Sequence, residues 1–109
     1  MPHIIVEYTS KLESQIPALL LDLHDALAAE GIEKARIKTR GLAIDHAVVG
    51  DQGADGRMLH ATLLLLAGRD LVTKRAYGDA LHGVMKEAAP EGCAVTLEIR
   101  DMDADSYYL

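Results

Sequence analysis

Residues 3–31 read HIIVEYTSKLESQIPALLLDLHDALAAEG, and the fold is decided there. Ile4, Ile5 and Val6 are β-branched and aliphatic, which predicts a buried strand over about residues 3–8. Ser10 and Glu13 have capping-box spacing, with Ser14 as a second candidate cap. Leu12, Ile16, Leu19, Leu20, Leu23 and Leu27 then recur at helical intervals. Proline is tolerated only in the first turn, so Pro17 places the start of the regular helix near Ser14. Gly31 supplies the left-handed residue that commonly follows a helix.

Outward from this strand and helix, the same pattern closes and then repeats. A second strand is predicted over about residues 35–49, with Gly41 marking a bulge or bend. Residues 50–56, GDQGADG, are turn chemistry. A third strand over 58–67 contains the run Leu63, Leu64, Leu65, Leu66 and breaks at Gly68. Asp70 can cap a second helix whose apolar stripe is Tyr77, Leu81, Val84, Met85 and Ala88, ended by Pro90 and Gly92. In the last strand Cys93, Val95, Leu97 and Ile99 alternate with Ala94, Thr96, Glu98 and Arg100, so one face is wet. A short tail, residues 101–109, follows.

The order β-α-β-β-α-β defines an α+β fold of two tandem βαβ units, about 1–49 and 58–101, within one domain spanning 1–109. Right-handed crossovers would put both helices on one face of a four-stranded mixed sheet. The other face then needs a cover, and an oligomer supplies one economically.

Composition narrows the function classes. Hydrophobic residues make up 50% of the chain, yet Phe and Trp are absent, so the core is aliphatic. The net charge is −6, which argues against nucleic acid, whose phosphates want a basic face. A local cationic pocket for a small anion is still compatible with that charge. Cys93 is the single cysteine, so no internal disulfide or thiolate zinc cage can form, which fits a reducing, cytoplasmic setting. No stretch is apolar enough for a membrane span, and the first residues lack a signal-peptide pattern.

Pro2 is the most informative single residue. Loss of Met1 would leave a secondary amine at the chain terminus, at the start of a buried strand. An ordinary α-amino group titrates near ~8. Burial or nearby cations would lower that and leave a free base at neutral pH. Lys38 and Arg40 stand two apart on one strand face and look either at water or at an anion. Arg69 sits at the strand-to-helix boundary, where backbone N–H groups favour anions, although Asp70 competes as the cap. The histidines His3, His24, His46, His60 and His82 show no ligand spacing, so no metal site is expected. Cys93 reads as a small buried hydrophobe.

Several of these segments together resemble one family. MPHIIVEYT at the amino end, Ile37-Lys38-Thr39-Arg40, Leu66-Ala67-Gly68-Arg69-Asp70 with Lys74-Arg75, and Arg100-Asp101-Met102-Asp103-Ala104-Asp105-Ser106-Tyr107 resemble the 5-carboxymethyl-2-hydroxymuconate isomerases of the tautomerase superfamily. The resemblance implies a homotrimer without metal or organic cofactor, acting on a small carboxylate. Its reaction is a 1,3-keto-enol shift that turns a 2-hydroxymuconate dienol into its 2-oxo isomer. By the same resemblance Pro2 is the catalytic base and Arg69 a catalytic, substrate-facing arginine. Lys38 and Arg40 are the two candidates for binding a substrate carboxylate. Lys38 keeps a charge where some members have arginine but lacks the bidentate fork. The alternatives are hydratase or decarboxylase chemistry on the same scaffold, or a non-catalytic trimeric module that binds a small acid.

Overall fold

The computed structural model describes residues 1–109. Strand β1 is His3–Thr9, followed by a 3-10 turn at Ser10–Gln15 and helix α1, Ile16–Ala29. Strand β2 is Lys38–Ile44, β3 is Met58–Leu66, helix α2 is Leu71–Ala88 and β4 is Ala94–Met102. The sheet order is β2-β1-β3-β4. β1 runs parallel to β2, β3 runs parallel to β4, and the two central strands are antiparallel. The mixed sheet expected from two βαβ units is therefore observed.

Each parallel ladder is extended by one equivalent bond. Lys38 N donates to Pro2 O and Ala94 N donates to Arg57 O, both at 3.0 Å. The two units are thus related in register as well as in order, with Pro2 matching Arg57.

Both helices pack on one face. Ile4, Val6 and Tyr8 of β1 and Leu59, Ala61, Leu63 and Leu65 of β3 join Ile16, Leu19, Leu23, Leu27, Tyr77, Leu81 and Met85 in one buried cluster. Full burial of each such leucine stabilises the fold by roughly 1.5–3 kcal/mol. The period-two alternation sends the neighbouring side chains to the opposite face. That open face carries Ile5, Leu64, Leu66, Met58 and Met102 among His3, Lys38, Arg40, His60, Glu98 and Arg100. It is mixed in character, so the apolar run of β3 divides between the two faces.

Three local expectations need correction. The Ser10–Glu13 capping box does not form: the Ser10 hydroxyl donates to Ile44 O at 3.0 Å, and the Glu13 carboxylate accepts from the Tyr8 hydroxyl. The second strand is shorter than residues 35–49. Its partner β1 ends at Thr9, so pairing stops at Ile44, and Lys34–Arg36 forms a 3-10 turn. Gly41 is no bulge, since it stays in register opposite Val6. A Cβ there would lie 3.1 Å from Ile16 Cγ2 and 3.3 Å from Tyr8 Cε1, so glycine lets α1 approach the strand. Asp70 does cap α2, accepting from Thr73 N at 2.9 Å. Gly31, at φ +102°, ends the first helix as expected.

Candidate active site

A cleft of about 310 Å³ opens at the end of the sheet where β1 begins and β3 ends. Pro2, Arg69, Tyr77 and Arg36 line it, together with Met1, Leu65 and Leu66. Pro2 is buried because it continues β1 onto the helix-covered side, fixed by the bond from Lys38 N. Arg69 follows the turn at Gly68, whose φ of +131° only glycine adopts readily. Its guanidinium lies 5.9 Å from the centroid of the Tyr77 ring and Nη1 donates to Leu66 O at 3.4 Å. The cation thus lies over the aromatic ring, within cation–π range.

Cations gather at this end. The Met1 amine donates to Arg36 O at 2.7 Å, and Lys38 Nζ donates to the same carbonyl at 3.0 Å. Partial burial first, then Lys38 and Arg36, push the Met1 amine below the ordinary value of 8.0. Arg36 is tied to Glu33 by an exposed ion pair of 3.0 Å. Four of the eleven basic residues, Arg36, Lys38, Arg40 and Arg69, thus collect at one end of an acidic chain.

The expected site residues divide. Pro2 and Arg69 share the cleft. Lys38 is exposed and reaches the amino terminus. Arg40 lies on the open face, where Nη1 is 3.0 Å from His3 Nδ1. The N-terminus of α2 is occupied by the Asp70 carboxylate, so the cationic character beside it comes from the Arg69 side chain. Arg36 and Tyr77 were not singled out as site residues. Tyr77 showed only as part of an apolar helical stripe, and Arg36 carried no pattern of its own.

Four histidines spend ring nitrogens on protein partners. His24 pairs with Thr39, His60 with Thr96, His82 with Val95 O, and His3 with Tyr107 and Arg40. No three His, Cys, Asp or Glu side chains converge as a metal-binding group. Cys93 is half-buried rather than fully buried, and burial raises its thiol pKa while the Arg57 charge opposes that. No helix is long and apolar enough to cross a membrane.

With this geometry established, known proteins give it a place. The family model for 5-carboxymethyl-2-hydroxymuconate isomerase matches residues 2–108. A 5-carboxymethyl-2-hydroxymuconate Delta-isomerase of Escherichia coli is 34% identical over 89 residues, covering 79% of this chain and 71% of that protein. The crystal structure of a 5-carboxymethyl-2-hydroxymuconate isomerase from Deinococcus radiodurans R1 is similar at a TM-score of 0.89 and 26% identity, over 99% of this chain and 87% of that one. A fused 4-OT symmetric trimer shares the fold at a TM-score of 0.80 and 16% identity, over 94% of this chain and 88% of that one. The fold is that of the tautomerases, and the chain is an isomerase of that class. Within the class it belongs to the 5-carboxymethyl-2-hydroxymuconate isomerase family.

Proposed function

We propose that this chain, freed of Met1, isomerises a 2-hydroxymuconate-type unsaturated acid such as 5-carboxymethyl-2-hydroxymuconate, using the Pro2 amine as its base. The observation that carries the reading is the shared cleft of Pro2 and Arg69. With Met1 in place the Pro2 nitrogen is an amide and has no basic lone pair. Excision makes it a secondary amine at a more buried position than the Met1 amine it replaces. Burial and the charges of Lys38, Arg36 and Arg69 then act on it in one direction, lowering its pKa.

The step balances without a co-reactant. The neutral amine takes the proton of the 2-hydroxyl, and the electron pair of that O–H bond forms the C=O bond. The diene electrons shift along the chain, and the prolinium returns its proton to carbon. Negative charge develops beside the substrate carboxylates, where Arg69 stabilises it. Arg40, on the other side of the sheet end, holds a second carboxylate with the bidentate geometry that Lys38 lacks. Lys38 tunes the amine. The same proposal includes a cytoplasmic homotrimer.

Loss of dienol absorbance measures the reaction. Met1-free protein, confirmed by mass spectrometry, is expected to be active, whereas protein that retains Met1 is expected to be inactive. Pro2→Ala should lose about 100-fold or more in kcat, the usual contribution of a positioned base. Undiminished activity in that variant would overturn the proline mechanism. A panel of unsaturated acids separates isomerisation from hydration and decarboxylation by product.

A further inference from the structure

Outside the cleft, one cluster joins three distant parts of the chain on the open sheet face. His3 lies on β1, Arg40 on β2 and Tyr107 in the tail. Arg40 Nη1 is 3.0 Å from His3 Nδ1, and the Tyr107 hydroxyl is 2.8 Å from His3 Nε2. The two rings meet edge to face, with centroids 6.0 Å apart at 65°.

The partners fix the state of the ring. A guanidinium has only donors, so Nδ1 must offer a lone pair. The imidazole is therefore neutral, its proton sits on Nε2, and Nε2–H donates to the Tyr107 oxygen. The charged and titratable groups facing it are Arg40 and Lys38 from β2, the amino terminus, and Tyr107 from the tail. From the other side β3 brings Leu64, and beyond it Arg100 of β4 is paired with Glu98 at 2.6 Å. The charges that shift the ring, those of Arg40, the amino terminus and Lys38, are all positive.

We propose that His3 is a positioning residue: its neutral ring aims the Arg40 guanidinium at a substrate carboxylate, and Tyr107 holds the ring in place. This rests on the reading of Arg40 as a carboxylate ligand. Protonation of His3 would put an N–H against the guanidinium, break that bond and set two cations side by side. Arg40 would then leave its position, and affinity for the substrate would fall. With Met1 in place, burial, then Arg40, the amino terminus and Lys38, hold the His3 pKa below its ordinary 6.5; burial and Arg40, the two largest causes, remain when Met1 is removed, so the arrangement survives further into acid than a free histidine would allow.

Two readouts test it. In the first, nitrogen NMR follows the His3 ring in the wild type, Arg40→Ala and Tyr107→Phe. The wild type should show the Nε2–H tautomer, and its pKa should rise in Arg40→Ala. An unchanged His3 titration in Arg40→Ala overturns the contact, whatever the enzyme's substrate. In the second, KM for the dienol is measured against pH. His3→Phe should raise KM about tenfold at neutral pH, as expected for one hydrogen bond to a charged group, with a smaller change in kcat. His3→Asn, whose amide oxygen falls near Nδ1, should recover most of that and remove the acid rise in KM. Unchanged KM in His3→Phe, or equal losses in both variants, overturns the positioning role. A wild type without isomerase activity refutes the functional reading instead. Glutarate affinity in the same variants then decides the role of His3, and equal affinity in His3→Phe and wild type overturns it.

Discussion

Replacing Gly41 by alanine tests why the helix sits where it does. Gly41 is not among the glycines with positive φ, so alanine can adopt its backbone. The added methyl would stand 3.1 Å from Ile16 Cγ2 and 3.3 Å from Tyr8 Cε1, against a comfortable carbon contact of about 3.5–4.0 Å. Neither neighbour can step aside into water, because Ile16 is 4% and Tyr8 5% exposed. Cγ2 branches at Cβ, so relief requires moving the start of α1. Such overpacking costs about 1–3 kcal/mol. Stiffening the unfolded chain returns about 0.4–1 kcal/mol. The net is a loss of about 1 kcal/mol, or roughly 4–8 °C in Tm for a chain of this size.

Gly78 is the internal control. A Cβ there also meets one atom at 3.1 Å, but that atom is Ile99 Cδ1, the free end of a half-buried side chain. Rotation of that methyl relieves the contact, and alanine in a helix interior gains about 0.8–1 kcal/mol over glycine. Gly78→Ala is therefore expected to be neutral or stabilising. Urea unfolding followed by circular dichroism compares the two variants, at one protein concentration because assembly shifts apparent stability. Gly41→Ala equal to or more stable than Gly78→Ala would refute the close-approach reasoning.

Two further outcomes concern the cleft and acid stability. Arg69→Ala should raise KM for a carboxylate substrate by roughly 10- to 100-fold, the worth of hydrogen bonds between a guanidinium and a carboxylate; Arg69→Lys should fall between, and steady-state kinetics on folded protein decides. Asp70 has its carboxyl held below the ordinary carboxylate value by the Thr73 N–H, so its contribution is complete above the unfolded pKa and is lost as pH falls through the folded one. Asp70→Asn keeps a capping oxygen without the titration, and its urea midpoint should depend less on pH in the acid range.

What was legible in the sequence followed from short-range pattern. Cys93 to Arg100 alternates, and Tyr77, Leu81 and Met85 fall on one helical stripe, so β4 and α2 emerge from local periodicity. Gly41 misled because its reason lies 25 residues away, in a methyl of Ile16. Glu13 had the right spacing for a cap, but the Tyr8 hydroxyl claims it, a partner supplied only once the strand and turn are docked. At the site, Pro2 and Arg69 stood out by residue type and by resemblance. Arg36 did not, because its place depends on the turn between α1 and β2, and Tyr77 did not, because a core position and a ring beneath a cation look alike in one helical stripe. His3 had no metal partner within the sequence pattern, and its partners turned out to be Arg40 and the tail.

The matched bonds from Lys38 N to Pro2 O and from Ala94 N to Arg57 O have a further consequence. The two units place an equivalent sheet end at each side of the molecule, yet a polypeptide possesses only one amino terminus. At the second end the residue matching Pro2 is Arg57, whose nitrogen is locked in a peptide bond and cannot act as a base. Ala94 stands there in place of Lys38, so no cation follows on the paired strand. Joining two βαβ units in one chain therefore forfeits half of the positions that the fold's own symmetry offers for terminal-amine chemistry.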